Sequence, residues 1–295
     1  VAAVKDIESY AQSVAEDRPE LLKPYDASDA LPLKDRFELD LSPGKKNIPD
    51  PPRDFKEFST IEDAKSYFSL YFPDMKVDLN GVADKSGARA LSQLERLRRV
   101  YPELITGDLI VNTEAALPEF MQEEIVESLA WTWQLDNSLG LNTKFFGDDD
   151  ALRIAVKRLK KIGHAVETSA GVAEQIVTHE VGHLAYNALN SELTARIDEL
   201  FDSYEGVLAR KVSGYAATEP KEFAAESFAK LYLTNSTNTV LKKMRAIFEE
   251  GGIVFPVKKS QAQKSAESVA RRFVLKRSIE AKREFTKSQS PVRNI

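Results

Sequence analysis

Thr178-His179-Glu180-Val181-Gly182-His183 is an HExxH stretch inside a run that reads as helix. Side chains four apart leave a helix on the same face, so His179 and His183 can share one metal ion. Glu180, between them, is placed to polarise a water at that ion. The chain has no cysteine and only three histidines, His164, His179 and His183. Disulfides, thiolate metal sites and thiol catalysis are therefore excluded. A catalytic zinc takes about three protein ligands and one water. The motif supplies two imidazoles, and His164, beside Gly163, reads as a surface or loop histidine. The third ligand is therefore expected to be a carboxylate.

A second stretch offers that carboxylate. Glu219-Pro220-Lys221-Glu222-Phe223-Ala224-Ala225-Glu226-Ser227-Phe228 reads as helix, with Glu222 and Glu226 on one face of an otherwise apolar segment. A metal site accounts for both acids. One binds the ion, and the other accepts a hydrogen bond from the free N–H of a ligand histidine.

HEVGH followed by Tyr215, six residues and Glu-Phe-Ala-Ala-Glu-Ser-Phe resembles the gluzincin zinc metallopeptidases. Among them it is similar to the anthrax lethal factor catalytic domain and the metallopeptidase-like domains of phage minor head (head morphogenesis) proteins. Looser matches to the phage group lie upstream, at Val77-Asp78-Leu79-Asn80-Gly81, Tyr101-Pro102-Glu103 and Gly140 to Phe146. The resemblance spans residues 60 to 235 and leaves out the first 55 residues and the C-terminal tail. It implies a zincin-like fold and a Zn2+ site with His179, His183 and Glu222 as ligands. It further implies Glu180 as general base, Glu226 as hydrogen-bond acceptor for a ligand histidine, and Tyr215 as stabiliser of the developing oxyanion. Glu219 is a nearby acid whose spacing from Tyr215 does not fit. The strand expected over Leu139–Phe146 would match the edge strand that holds an extended peptide substrate.

Composition sets outer bounds. A chain of 295 residues with 42% hydrophobic and 29% charged residues can bury a core and remain soluble. One main domain of roughly 200 residues with extensions is expected. No apolar run reaches the length of about 18 residues that a membrane helix needs. The start lacks a signal-peptide layout and an initiator Met, so a processed or partial product is expected. From Pro256 to Ile295, eleven Lys/Arg face three acids, a balance of +8 that leaves −13 on the rest. That tail suits nucleic acid or an acidic partner, although a solvated helix face has the same composition.

Taken in order, residues 1–56 read as a Pro-rich arm, with a short helix over Val1–Glu16 and prolines from Pro24 to Pro52. A zincin-like domain is expected over 57–250 and a basic helical tail over 251–295. Within the domain, a helix starts at the Ser59-Thr60-Ile61-Glu62 capping pattern and ends at Pro73. Strands are expected at Met75–Leu79 and Leu109–Asn112, with a helix over Ser86–Val100 between them and another over Glu119–Leu129. Ala130–Leu135 and Leu139–Phe146 read as a β-hairpin turning at Asp136-Asn137-Ser138, with Trp131 and Trp133 as packing residues. Helices follow over Asp149–Ile162, from an N-cap at Ser169 to Leu189, over Leu193–Leu208, over Glu219–Leu233 and over Val240–Phe248. The fold class expected is α+β, with a small mixed sheet, the HExxH helix beneath it and a helical subdomain after it. Three functions follow: a zinc endopeptidase, placed in a virion or host cytoplasm if the chain is of phage origin, a virion assembly protein that uses the fold as a scaffold, or a nucleic-acid-contacting protein that acts through its basic tail. The partners implied are a peptide or protein substrate and phage head or portal proteins, with no membrane.

Overall fold

The computed structural model describes residues 48–256, except 56, 118–121, 124, 134–137, 166–167, 235 and 237. The arm up to residue 47 and the tail from residue 257 lie outside the described residues. By internal contacts the chain divides into Val1–Phe255 and Pro256–Ile295. The first unit is the one described below.

Its sheet has four short strands: β1 (Lys76–Val77), β2 (Ile110–Thr113), β3 (Ala130–Trp133) and β4 (Ser138–Leu141). They lie in the order β1-β2-β4-β3. β1, β2 and β4 run parallel, and β3 runs antiparallel to β4. Parallel neighbours need a crossover connection, and between β1 and β2 this is helix α2 (Asp84–Val100). The other helices are α1 (Ile61–Tyr71), α3 (Thr143–Phe146), α4 (Asp149–Lys161), α5 (Val172–Asn187), α6 (Ser191–Tyr204), α7 (Leu208–Lys211), α8 (Pro220–Leu233) and α9 (Thr239–Glu250). The fold is thus α+β, mostly helical, with a small mixed sheet.

Several elements depart from the expectations, each for a local reason. The strand expected over Leu139–Phe146 stops at Leu141. The Asn142 side chain accepts from Lys144 N (3.0 Å) and opens the one-turn helix α3. β4 also lies inside the sheet, between β2 and β3. The edge strand beside the motif helix is therefore β3, not the return strand. Ser138 belongs to β4 rather than to the turn. The motif helix begins at Val172 with Gly171 as N-cap, because Thr168 turns the chain by accepting from Ala170 N (3.1 Å). The helix expected over Leu193–Leu208 breaks at Tyr204 into a 3-10 turn, Glu205–Val207, which contains Gly206. Of the helix expected over Glu119–Leu129, residues 122–123 are helical and 125–127 form a turn. The first expected strand narrows to Lys76–Val77.

The core gathers Leu91, Leu94 and Leu97 of α2 with Val177 and Val181 of α5 and Phe223 and Phe228 of α8. It extends past α9 to Ile253 and Phe255, which are 1% and 2% exposed. Phe255 packs edge-on to Phe248 and tilted against Phe228, with ring centroids 5.7 and 5.3 Å away. Where the described chain enters the unit, Arg99 donates to the carbonyls of Pro52 (2.8 Å) and Arg53 (3.0 Å). The entering chain is thereby tied to the end of α2.

Two glycines bring backbones and rings closer than any other residue would allow. Trp131 faces Gly140 across β3 and β4, and a Cβ at Gly140 would overlap the indole ring. The ring fills the space that the missing side chain leaves. Gly140→Val should therefore expel Trp131 from the sheet face, red-shift tryptophan emission and destabilise the protein by about 1–3 kcal/mol. Unchanged emission and thermal unfolding would contradict this packing. The second glycine, Gly182, lies in the HExxH stretch. A Cβ there would sit 2.7 Å from Ala225 Cα and 2.8 Å from Ala225 O. α5 and α8 therefore pack backbone to backbone, and these are the two helices that carry the motifs.

Candidate metal centre

That close helix contact sets the geometry of the site. His179 and His183 lie one turn apart on α5, and Glu222 and Glu226 lie one turn apart on α8. Pro220 at the first helical position suits the start of α8, where its missing N–H leaves nothing unpaired. His179 Nε2 is 3.1 Å from Glu222 Oε2, and His183 Nε2 is 3.5 Å from Glu222 Oε1. The two Nε2 atoms are 3.2 Å apart. His179, His183 and Glu222 each offer a ligand atom, all within 4.8 Å of one another. His179 Nδ1 is 2.8 Å from Glu226 Oε1.

The donor set of this cluster implies a positive charge at its centre. If His179 donates its Nδ1–H to Glu226, a neutral ring presents a bare lone pair at Nε2. That lone pair faces the other Nε2 and the Glu222 carboxylate. Glu222 Oε2 is buried and lies 3.1 Å from His179 Nε2 without a well-aligned hydrogen bond. Lone pairs converging in a buried place repel unless a proton or a metal ion lies among them. Burial disfavours a proton on His179. The hydrogen bonds to Glu222 and Glu226 and the surrounding carboxylate charges outweigh it and hold the imidazole well above its ordinary range. Burial and then the His179 charge lower His183 to about 4, which leaves it neutral. Burial would raise Glu222, but its side-chain contact with His179 and the His179 charge hold it below the usual carboxylate range. One neutral imidazole, one carboxylate and one imidazole that gives up its proton to a metal form a set that fits zinc.

Glu180 lies beside the cluster and is 5% exposed. Burial raises its carboxyl to about 7, against the opposing pull of His179 and of a hydrogen bond from Thr132. Tyr215 lies in a short 3-10 turn and is 39% exposed. Its ring centroid is 5.7 Å from that of His179, and its hydroxyl reaches Glu222. Burial, then the charges of Glu222 and Glu180, push the phenol up, so it stays protonated. Glu219 caps the start of α8 and stays out of the cluster. His164 also stays out of it. It is exposed, with its ring stacked against Tyr215 at a centroid distance of 6.4 Å.

All of these groups face one cavity of about 690 Å³, with Val156, Leu159 and Ile176 on its apolar side and β3 along another. Asn142 Nδ2 donates to the carbonyls of Ile125 (3.0 Å) and Ser128 (2.8 Å), which fixes the turn leading into β3. Asn142 N donates to Leu129 O (3.1 Å). Leu129 is thus a hydrogen-bonded position of the β3–β4 ladder, as are Trp131 and Trp133 two and four residues on. The intervening residues, Ala130 and Thr132, turn their N–H and C=O groups to the outer edge, which no other strand among the described residues pairs.

Thr132 is a residue that sequence reasoning missed. Its hydroxyl is 2.9 Å from Glu180 Oε2 and 3.1 Å from Glu180 O. Alternation in Ala130-Trp131-Thr132-Trp133 already set the threonine on the face opposite the two indoles, but nothing local said that this face meets the HExxH helix. No protein-family model, curated protein or solved structure matches the chain. Among the described residues no helix is long and apolar enough to cross a membrane.

Proposed function

We propose that the chain is a zinc-dependent endopeptidase with a zincin-like, gluzincin-type centre. The observation that carries this reading is the convergence of His179 Nε2 and His183 Nε2 on the buried carboxylate of Glu222, with all three ligand atoms within 4.8 Å of one another. His179, His183 and Glu222 would hold the ion. When bound, zinc supplies a Lewis acid that acidifies water and polarises a carbonyl. Glu226 keeps His179 in the tautomer whose Nε2 faces the cluster. Glu180 takes a proton from the attacking water and passes it to the leaving amine. The Tyr215 hydroxyl donates to the substrate oxygen as that oxygen gains charge. The open edge of β3 pairs with an extended peptide through Ala130 and Thr132. The sequence resemblance to phage head proteins extends the proposal to a virion-associated peptidase.

The test is cleavage of a peptide library by zinc-loaded protein. Hydrolysis should stop on chelation and return on adding zinc, and cleavage that ignores a chelator would rule the reading out. Glu222→Ala should lower zinc affinity by about 10–100-fold or more, since it removes a direct ligand and even outer partners contribute that much. Equilibrium dialysis with zinc reads this directly, and unchanged affinity would move the third ligand elsewhere.

A further inference from the structure

Thr132 joins two features of the site that are otherwise separate. Its backbone N–H and C=O face the open edge of β3, where an extended peptide would pair. Its side chain leaves the sheet face toward α5 and reaches the Glu180 carboxylate. We infer that Thr132 is a positioning residue for Glu180, and that its place on the edge strand ties the aim of the base to the docked peptide. This inference rests on the hydrolase reading above.

The chemistry of the contact supports the assignment. A threonine hydroxyl has one proton to donate. Both atoms within reach, Glu180 Oε2 at 2.9 Å and Glu180 O at 3.1 Å, are acceptors. A charged carboxylate oxygen is the stronger acceptor, so it takes the proton when Glu180 is ionised. With Oε2 engaged, Oε1 is the oxygen left to receive a proton from water. The bond also fixes rotation of the carboxylate, which is otherwise a soft torsion. A peptide strand paired to Thr132 from outside would hold the β3 backbone, and with it the hydroxyl, in register with the base. The Thr132 hydroxyl bonds Glu180 and none of His179, His183 and Glu222. The inference therefore separates metal holding from base aiming.

Two variants test this. Thr132→Val keeps the β-branched shape and removes the donor, and Thr132→Ser keeps the donor. In zinc-loaded protein, Thr132→Val should lower kcat about 10-fold with KM and zinc content unchanged, as expected for the loss of one hydrogen bond to a charged group. Thr132→Ser should recover most of the loss. In a Glu180→Gln background, Thr132→Val should cost nothing further in rate. Parental kcat in Thr132→Val, or an equal loss in Thr132→Ser, overturns the inference. A second readout needs no activity. Thr132→Val should lower the melting temperature by about 4 °C in the parent and by much less in a Glu180→Ala background. Absence of that coupling overturns the contact itself. Coupling present in a zinc-loaded parent that cleaves no peptide would instead overturn the hydrolase reading, and with it the role in catalysis.

Discussion

Glu180→Gln should bind zinc as the parent does and hydrolyse peptides at least about 100-fold more slowly, the lower end of what a positioned proton acceptor contributes. Glutamine has the same shape and can still accept from Thr132, so α5 and its packing on β3 need not change. Glu180 is not one of the three residues whose ligand atoms converge, so the metal site should survive. The loss is specific to proton transfer. Burial lifts the Glu180 carboxyl to about 7, a proton affinity matched to work near neutral pH, and an amide has no comparable affinity. Turnover of a cleaved peptide and zinc content, measured on the same preparation, check both halves. Parental turnover would remove Glu180 from the mechanism, whereas loss of zinc with turnover would point to structural damage instead.

Gly182→Val should disrupt the site without touching any of its functional groups. The added side chain would begin 2.7 Å from Ala225 Cα and 2.8 Å from Ala225 O, and backbone of a helix cannot step aside as a flexible side chain can. α5 and α8 must therefore separate. Small-to-large changes in a packed interior cost about 1–3 kcal/mol, occasionally more. The consequence for the cluster is larger than the cost in stability. His179 and His183 move with α5 and Glu222 and Glu226 move with α8, so the 2.8 to 3.5 Å separations across the pair lengthen together. The expected result is a folded but less stable protein with zinc affinity lowered at least 100-fold, as for a loss reaching several ligands at once. Zinc titration and thermal unfolding test it. Parental affinity would mean that the helices tolerate separation and that the close approach is incidental.

Much of the site could be read from spacing alone. Two histidines and two glutamates at intervals of four, in a chain without cysteine, single out His179, His183, Glu222 and Glu226, and the structure brings all four together. What spacing could not show was how the two helices approach. Gly182 lies in the variable part of HExxH and Ala225 between two acids, and only their contact across the interface explains why both are small. The sheet was less legible. Alternation marked the strands, but it cannot tell a central strand from an edge one, and the Leu139 to Phe146 run looked strand-like until Asn142 turned it into a helix start. The edge strand was accordingly expected one strand away from β3, where the sheet order puts it. Thr132 went unread for the same reason, since its role depends on β3 facing α5. The arm up to residue 47 and the tail from residue 257 lie outside the described residues and remain readings of composition.

The measurement that bears most directly on the central claim is the zinc content of the purified protein, by mass spectrometry of the metal, before and after Glu222→Ala. About one zinc per chain in the parent, lost in the variant, is the predicted result. A parent that binds no zinc when supplied with it, or a variant that keeps the parental amount, would contradict the account.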